Sequence, residues 1–226
     1  CMGMTQKSVG TANVRGACIL LLATGNVGGQ GVGANIFRGH CNVQGATDLG
    51  VDNVTLPLYY GLDEGAWRHW TRVWEVPYEY ARGRFGKPDA ADDVRKKLME
   101  TAGITSTRYL DAALLPEGEL RDQPNLRGMV VFGHGGNTVT RMPEAAKALA
   151  KLDLLVVADP HPTTFAVLAE RREGTYLLPI CTQFECDGSR TASNRSLQWG
   201  EQVVAPIFES KNDYEAMYRL AEKLGF

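Results

Sequence analysis

An arginine set among glycines and amides calls for an anion. Between Gly25 and Gly50 the chain carries eight glycines, several amide side chains and, apart from Arg38 and Asp48, almost no charge. The planar fork of Arg38 suits a bidentate oxyanion such as a carboxylate. His40, two residues on, has the pKa range to transfer or stabilise a proton near neutrality. The plainer alternative is an Arg38–Asp48 ion pair with His40 hydrogen-bonded to backbone.

A second group of candidates lies in Gly133-His134-Gly135-Gly136-Asn137 and at Asp159. Small residues let a ligand approach backbone amides, and a carboxylate accepts paired hydrogen bonds from a ribose or a guanine edge. A nucleotide-shaped ligand and a tight turn followed by a capping aspartate both fit these residues. No G-x-G-x-x-G is present, which argues against an ordinary dinucleotide site. His69, His134 and His161 have no partner at ligand spacing. The five cysteines, Cys1, Cys18, Cys41, Cys181 and Cys186, contain no C-x-x-C pair, so they read as reduced thiols rather than a disulfide framework or a zinc site.

The elements that must position these residues follow from periodicity. Val14, Ala17, Cys18, Leu21 and Leu22 recur at helical spacing after Thr11, a plausible N-cap, and Gly25 stands where a glycine ends helices; this helix is expected to be buried. Trp67, Trp70 and Trp74 share one helical face, expected to pack on the body or on a partner. Lys87 to Gly103 reads as a helix with a charged outer face, and Pro116 to Pro124 as a connector. Beyond it the pattern is βαβαβ: strands over 128–132, 154–158 and 175–178, helices over 143–152 and 163–171. A closing helix, Asp213 to Leu224, is expected to be capped by Asp213 and stopped by Gly225. The fold class is therefore α/β, a parallel Rossmann-like sheet flanked by helices. Residues 1–120 form a glycine-rich loop and helical segment and 125–226 the Rossmann-like segment, as two units or one composite domain.

Composition sets outer limits. The 226 residues are 44% hydrophobic, enough for a sizeable core, and the net charge of −2 gives no field to recruit nucleic acid or an anionic membrane. The longest apolar run, Ala17 to Ala23, is far shorter than the roughly 20 residues that span a bilayer, so no membrane span is expected. The stretch from Cys1 to Leu22 does not read as a signal peptide, and a start at Cys1 suggests native sequence upstream.

Read together, Met2-Gly3-Met4-Thr5-Gln6, Thr24-Gly25-Asn26-Val27-Gly28 and Arg38-Gly39-His40-Cys41-Asn42-Val43-Gln44-Gly45-Ala46-Thr47-Asp48-Leu49-Gly50 closely resemble the catalytic (alpha) subunit of molybdenum- or tungsten-dependent formate dehydrogenases, of the molybdopterin oxidoreductase superfamily. The likeness continues through Gly135 to Asn137, Asp159 with Thr163, and Glu185, Gly188, Thr191, Arg195 and Gln198, and is weakest between Tyr60 and Asn125. It implies that Arg38 orients formate and His40 assists with protons. It implies that Met2, Gly3 and Gln6 run beside a pterin, and that Gly135, Asn137, Asp159 and Thr163 hold the nucleotide end of a molybdopterin guanine dinucleotide, with Asp159 reading guanine. No residue of the chain is implied as a metal ligand.

The resemblance also implies an internal fragment of a larger multi-domain enzyme. An upstream iron–sulfur cysteine cluster, a metal-ligating cysteine or selenocysteine followed by histidine, and a further C-terminal domain are expected outside it, with an iron–sulfur electron-transfer subunit as partner. Thr138 stands where proline often follows the asparagine, and Cys1 where glycine is usual. His40 and Leu197-Gln198-Trp199 look closer to respiratory, often periplasmic, members. Two alternatives stay open: a segment of another molybdopterin enzyme such as a nitrate reductase, and a non-catalytic remnant.

Overall fold

In the computed structural model residues 2–85, 99, 103–105, 108–120 and 124–226 are described. The helix expected over 87–103 falls almost wholly outside them, as do residues 121–123 of the connector.

The centre is a three-stranded sheet. β1 (Gly128–Phe132), β2 (Leu154–Asp159) and β3 (Thr175–Pro179) lie in the order β1-β2-β3, all parallel, with Val130 opposite Val156 and Val156 opposite Tyr176. This is the α/β arrangement expected from the βαβαβ pattern, because parallel neighbours need a crossover and helices supply it. The first crossover is α7 (Met142–Lys151), with Pro143 in its opening turn; the second contains α8 (Thr164–Val167).

One face of the sheet packs into the core. Leu149 of α7, Leu155 and Val157 of β2, Val131 of β1 and Phe165 of α8 cluster there, joined by Leu110 and Ala113 of α6 (Tyr109–Leu114). Helix α6 follows α4 (Glu64–Val73) and α5 (Tyr78–Phe85) in the front part of the chain, so the first 120 residues contribute directly to the sheet's core. The opposite face is open: Val130 and Tyr176 are 46% and 58% exposed. Parallel sheets are ordinarily covered on both faces.

Four expectations change. The second crossover helix ends near Leu168 instead of Arg171, because Arg171 leaves the helix to satisfy backbone carbonyls. Its guanidinium donates to the carbonyls of Leu149, Leu152 (2.7 Å) and Gly174 (3.2 Å), and its Nε to Thr175 Oγ1 (2.9 Å). These carbonyls lie at the C-terminus of α7 and the entry to β3, and two of them are shared: Leu149 O also accepts the Leu152 N–H and Gly174 O the Leu155 N–H.

Helix α2 (Gly10–Ala23) starts earlier than expected, with Val9 at the N-cap and Thr11 in the first turn. Gly10 is required there, since a Cβ would stand 2.1 Å from the Thr5 carbonyl oxygen of α1 (Met2–Thr5). Its end is as expected. Gly25 has φ +69°, its N–H donates to Leu22 O and that of Asn26 to Leu21 O, the paired bonds of a Schellman stop. Contrary to expectation α2 is not buried: Ile19, Leu20 and Leu22 are 63–67% exposed, with α1 packed beside it. Apolar residues lie all round this helix, a composition suited to burial on every side.

The last helix, α9 (Asp213–Lys223), is capped by Asn212 rather than Asp213: Asn212 Oδ1 accepts the Glu215 N–H at 2.7 Å. Between β3 and α9 the chain also forms an antiparallel hairpin, β4 (Gly188–Thr191) with β5 (Leu197–Gly200), which periodicity did not indicate. Among the described residues no helix is long and apolar enough to cross a membrane.

Candidate functional site

The arginine loop meets the β4–β5 hairpin to form a cleft of about 280 Å³. Its walls are residues 38–44 on one side and Arg190 to Ser193 with Gln198 on the other. Three contacts join them. Asn42, at φ +59°, turns its amide outward so that Oδ1 accepts the Thr191 N–H at 3.0 Å; Ser193 Oγ accepts the Arg38 N–H at 3.0 Å; Arg195 Nη2 reaches Asp48 Oδ1 at 3.4 Å. Gly45 begins the packing, because a Cβ there would stand 2.3 Å from Asn42 Oδ1 and 3.2 Å from Thr191 Oγ1.

Arg38 is held from one side only. Its Nη1 donates to Thr47 Oγ1 (2.7 Å), Gln44 Oε1 (3.0 Å) and Val43 O (3.4 Å), all on α3 (Val43–Asp48). Among the described residues its other guanidinium nitrogens have no acceptor. The expected local alternative, an Arg38–Asp48 ion pair, is not what forms. Gln44 stands between them, accepting from Arg38 and donating to Asp48 Oδ1 at 2.8 Å, while Asp48 pairs with Arg195. The Gln44 hydrogen bond, with help from Tyr59 and Arg195 against burial, holds the Asp48 carboxyl below its ordinary range.

Tyr59 completes this hub: its hydroxyl lies 3.2 Å from Gln44 Nε2 and 3.1 Å from Thr47 Oγ1. Leu58 and Tyr59 occupy the two central positions of a tight turn with φ of +57° and +63°, closed by Tyr60 N–H to Pro57 O at 3.4 Å. Bulky residues in this left-handed region cost of order 1 kcal/mol or more each and persist where the surroundings require them. The strained turn aims a phenol at the two side chains that hold Arg38.

His40 is exposed, with Nδ1 2.8 Å from Cys41 O. A carbonyl can only accept, so Nδ1 carries the hydrogen and Nε2 is left as a proton acceptor in the neutral ring.

At the C-terminal edge of the sheet, the four residues expected to share a ligand are neighbours. Gly135 O accepts the Thr164 N–H at 2.9 Å, bringing the loop after β1 against the loop after β2. Gly136, at φ +77°, lies against Phe165, 2.7 Å from where a Cβ would sit, and the Asn137 amide lies over Gly135. Asp159 Oδ1 accepts the His161 N–H at 3.2 Å, whereas its other oxygen has no partner among the described residues. Thr163 Oγ1 is buried without a hydrogen-bond partner. A buried hydroxyl without a partner costs free energy until a ligand or water satisfies it. That orphan, a half-free carboxylate and a glycine turn suit the nucleotide end of a cofactor.

The remaining candidates lie elsewhere. Met2, Gly3 and Gln6 are exposed on α1 and the turn after it, against α2. Glu185 is buried and structural: Thr182 N–H and Oγ1 donate to it at 2.7 and 2.8 Å and Ile207 N–H at 3.1 Å, which lowers its pKa. Among the described residues no three His, Cys, Asp or Glu side chains converge as a metal site, and the described cysteines are free thiols. Site-level reading of the residues alone missed Asn42, Gln44, Tyr59, Arg190 and Ser193. The signature stretch contained two of them, but nothing local marks a hairpin 150 residues away as the opposite wall.

The family model of the molybdopterin oxidoreductases matches residues 1–223. The F420-dependent formate dehydrogenase subunit alpha of Methanocaldococcus jannaschii is 30% identical over 229 residues, covering all of this chain and 28% of that protein. A second such alpha subunit, of Methanococcus maripaludis, is also 30% identical, with 28% of it covered. A probable oxidoreductase of Bacillus subtilis is 31% identical over 226 residues, 20% of its length. The chain thus spans between a fifth and three tenths of these relatives.

Proposed function

The chain belongs to the molybdopterin oxidoreductase family, and from that premise we propose that it is the substrate-orienting and nucleotide-holding part of a formate dehydrogenase catalytic subunit. The observation that carries this reading is the half-held guanidinium of Arg38 in a cleft with no carboxylate on its walls. The neutral acceptors Gln44, Thr47 and Val43 fix its orientation without cancelling its charge, so the free nitrogens remain a preorganised fork for a carboxylate. The alpha-subunit relatives named as formate dehydrogenases support formate as that carboxylate.

The reaction would be HCOO⁻ → CO₂ + H⁺ + 2e⁻. A molybdenum or tungsten ion held by molybdopterin guanine dinucleotide supplies the two-electron acceptance when bound. The chain's own residues do the rest. Arg38 binds and turns the carboxylate, His40 Nε2 accepts the proton, and the loop–hairpin contact limits how the anion enters. Gly135, Asn137, Asp159 and Thr163 would hold the nucleotide end, with the Asp159 carboxylate accepting from a guanine edge, and Met2, Gly3 and Gln6 would lie beside a pterin. The electrons would be passed on outside this chain, to the iron–sulfur centre and electron-transfer subunit that this reading implies.

The test is Arg38→Ala in the longer subunit that contains this segment. Formate turnover should fall on the order of 10²-fold or more, with metal and pterin content unchanged. Near-normal formate turnover, or nitrate reduction in place of formate oxidation, would sink the reading.

A further inference from the structure

We propose that Tyr59 is a positioning residue of the cleft: its hydroxyl sets the hydrogen-bond directions of Gln44 and Thr47 so that both present oxygen to Arg38. The proposal rests on reading Arg38 as the anion-binding group and adds the residue that aims it.

Counting donors and acceptors fixes the directions in the hub. A guanidinium can only donate, so the Gln44 amide turns Oε1 toward Arg38 Nη1, at 3.0 Å. Its nitrogen then faces away with two hydrogens to place. One goes to Asp48 Oδ1 at 2.8 Å and the other to the Tyr59 hydroxyl at 3.2 Å. Thr47 meets the same demand, because its Oγ1 accepts from Arg38 Nη1 at 2.7 Å. Its single hydrogen goes to the helix carbonyl of Val43 at 2.9 Å, which can only accept. The 3.1 Å contact between Thr47 and Tyr59 is therefore made by the phenol hydrogen. Tyr59 accepts from one partner of Arg38 and donates to the other, closing the circuit that Arg38 opens.

Asp48 cannot replace the phenol, since an ionised carboxylate takes an amide hydrogen but has none to give to Thr47. Without the hydroxyl, Gln44, which is 6% exposed, keeps an amide hydrogen that nothing else among the described residues accepts. A buried donor left without a partner is costly. The amide is then free to turn, and a turned amide points N–H at the guanidinium. Leu58 and Tyr59, at φ +57° and +63°, hold the turn that delivers the hydroxyl in the left-handed region. Such backbone persists where its surroundings demand it, and the demand here is a phenol oxygen between Gln44 and Thr47.

The first arm of the experiment needs no substrate. In the 226-residue chain, NMR of the Arg38 guanidinium reads its rotation about the Nε–Cζ bond, which is slow while Nη1 is held. Tyr59→Phe keeps the ring and removes the hydroxyl. It should quicken that rotation about fivefold, as expected for one lost hydrogen bond, and leave the Leu155 amide as protected as before. In a background carrying Gln44→Met and Thr47→Val, which removes both partners, adding Tyr59→Phe should change the rotation by less than about twofold. In the longer subunit, Tyr59→Phe should raise the KM for formate about fivefold with kcat within about twofold, and metal and pterin content unchanged. Rotation unchanged in Tyr59→Phe, or quickened just as much in the background without the two partners, overturns the proposal. Quickened rotation with an unchanged KM upholds Tyr59 and counts against formate, so the two readings fail separately.

Discussion

Strand β2 and helix α3 are each six residues long, yet their side chains are held by different interactions. β2 buries Leu155, Val157 and Ala158 to 2% exposure or less between neighbours it meets through backbone ladders. Helix α3 buries only Gln44 and Gly45. What fixes it is a polar hub, Gln44 and Thr47 with Arg38, Asp48 and Tyr59, and a seam of single hydrogen bonds to the hairpin. Apolar burial is non-directional and spreads its free energy over many contacts. Hydrogen bonds are directional, so the loop holds its arginine accurately and loses that accuracy when one partner goes.

The comparison is broken most severely at the core. Leu149→Ala removes a side chain of 0% exposure and should cost about 2–5 kcal/mol, read from urea unfolding followed by far-UV circular dichroism. A loss below about 1 kcal/mol would mean that the sheet does not carry the stability assigned to it.

A smaller and local effect is expected at Gly45→Ala. The new Cβ would meet Asn42 Oδ1 at 2.3 Å, so Asn42 must move and release the Thr191 N–H. The cost is about 1–3 kcal/mol. Hydrogen exchange should quicken at Thr191 and remain unchanged at Leu155. Equal acceleration at both positions would show that loop and sheet are one cooperative unit.

The gentlest perturbation is acid. The pKa values of Asp48 and Glu185 are lowered in the folded chain. Both therefore contribute stability above their unfolded values, near pH 4, and that contribution disappears as pH falls through the folded pKa. In a pH titration followed by amide NMR, signals from residues 38–48 should move below about pH 4 before those of β2 do. Asp48→Asn should remove the early phase at the loop. Loss of β2 signals first would reverse the comparison.

How much was legible follows the same division. Apolar runs bounded by glycine and proline placed the three strands within a residue, and Gly25 and Gly225 marked two helix ends, because those signals are local. Asp213 misled as a cap because the neighbouring Asn212 caps equally well, and Thr11 because the helix begins one residue before it, with Val9 at an N-cap that makes no side-chain hydrogen bond. Helix α2 was expected to be buried from its composition, and composition reports what a helix needs rather than what covers it within this chain.

By itself the sequence determined the α/β alternation, the parallel sheet and the family signature around Arg38, since strand periodicity, crossover handedness and a short motif are all properties of neighbouring residues. The tertiary structure alone decided that Arg38 pairs with Gln44 and Thr47 rather than with Asp48, that Asp48 turns to Arg195, and that Arg190 forms the far wall of the cleft. Those outcomes depend on which of several possible acceptors arrives within about 3 Å, and residues 38 and 193 meet only after the intervening chain has folded.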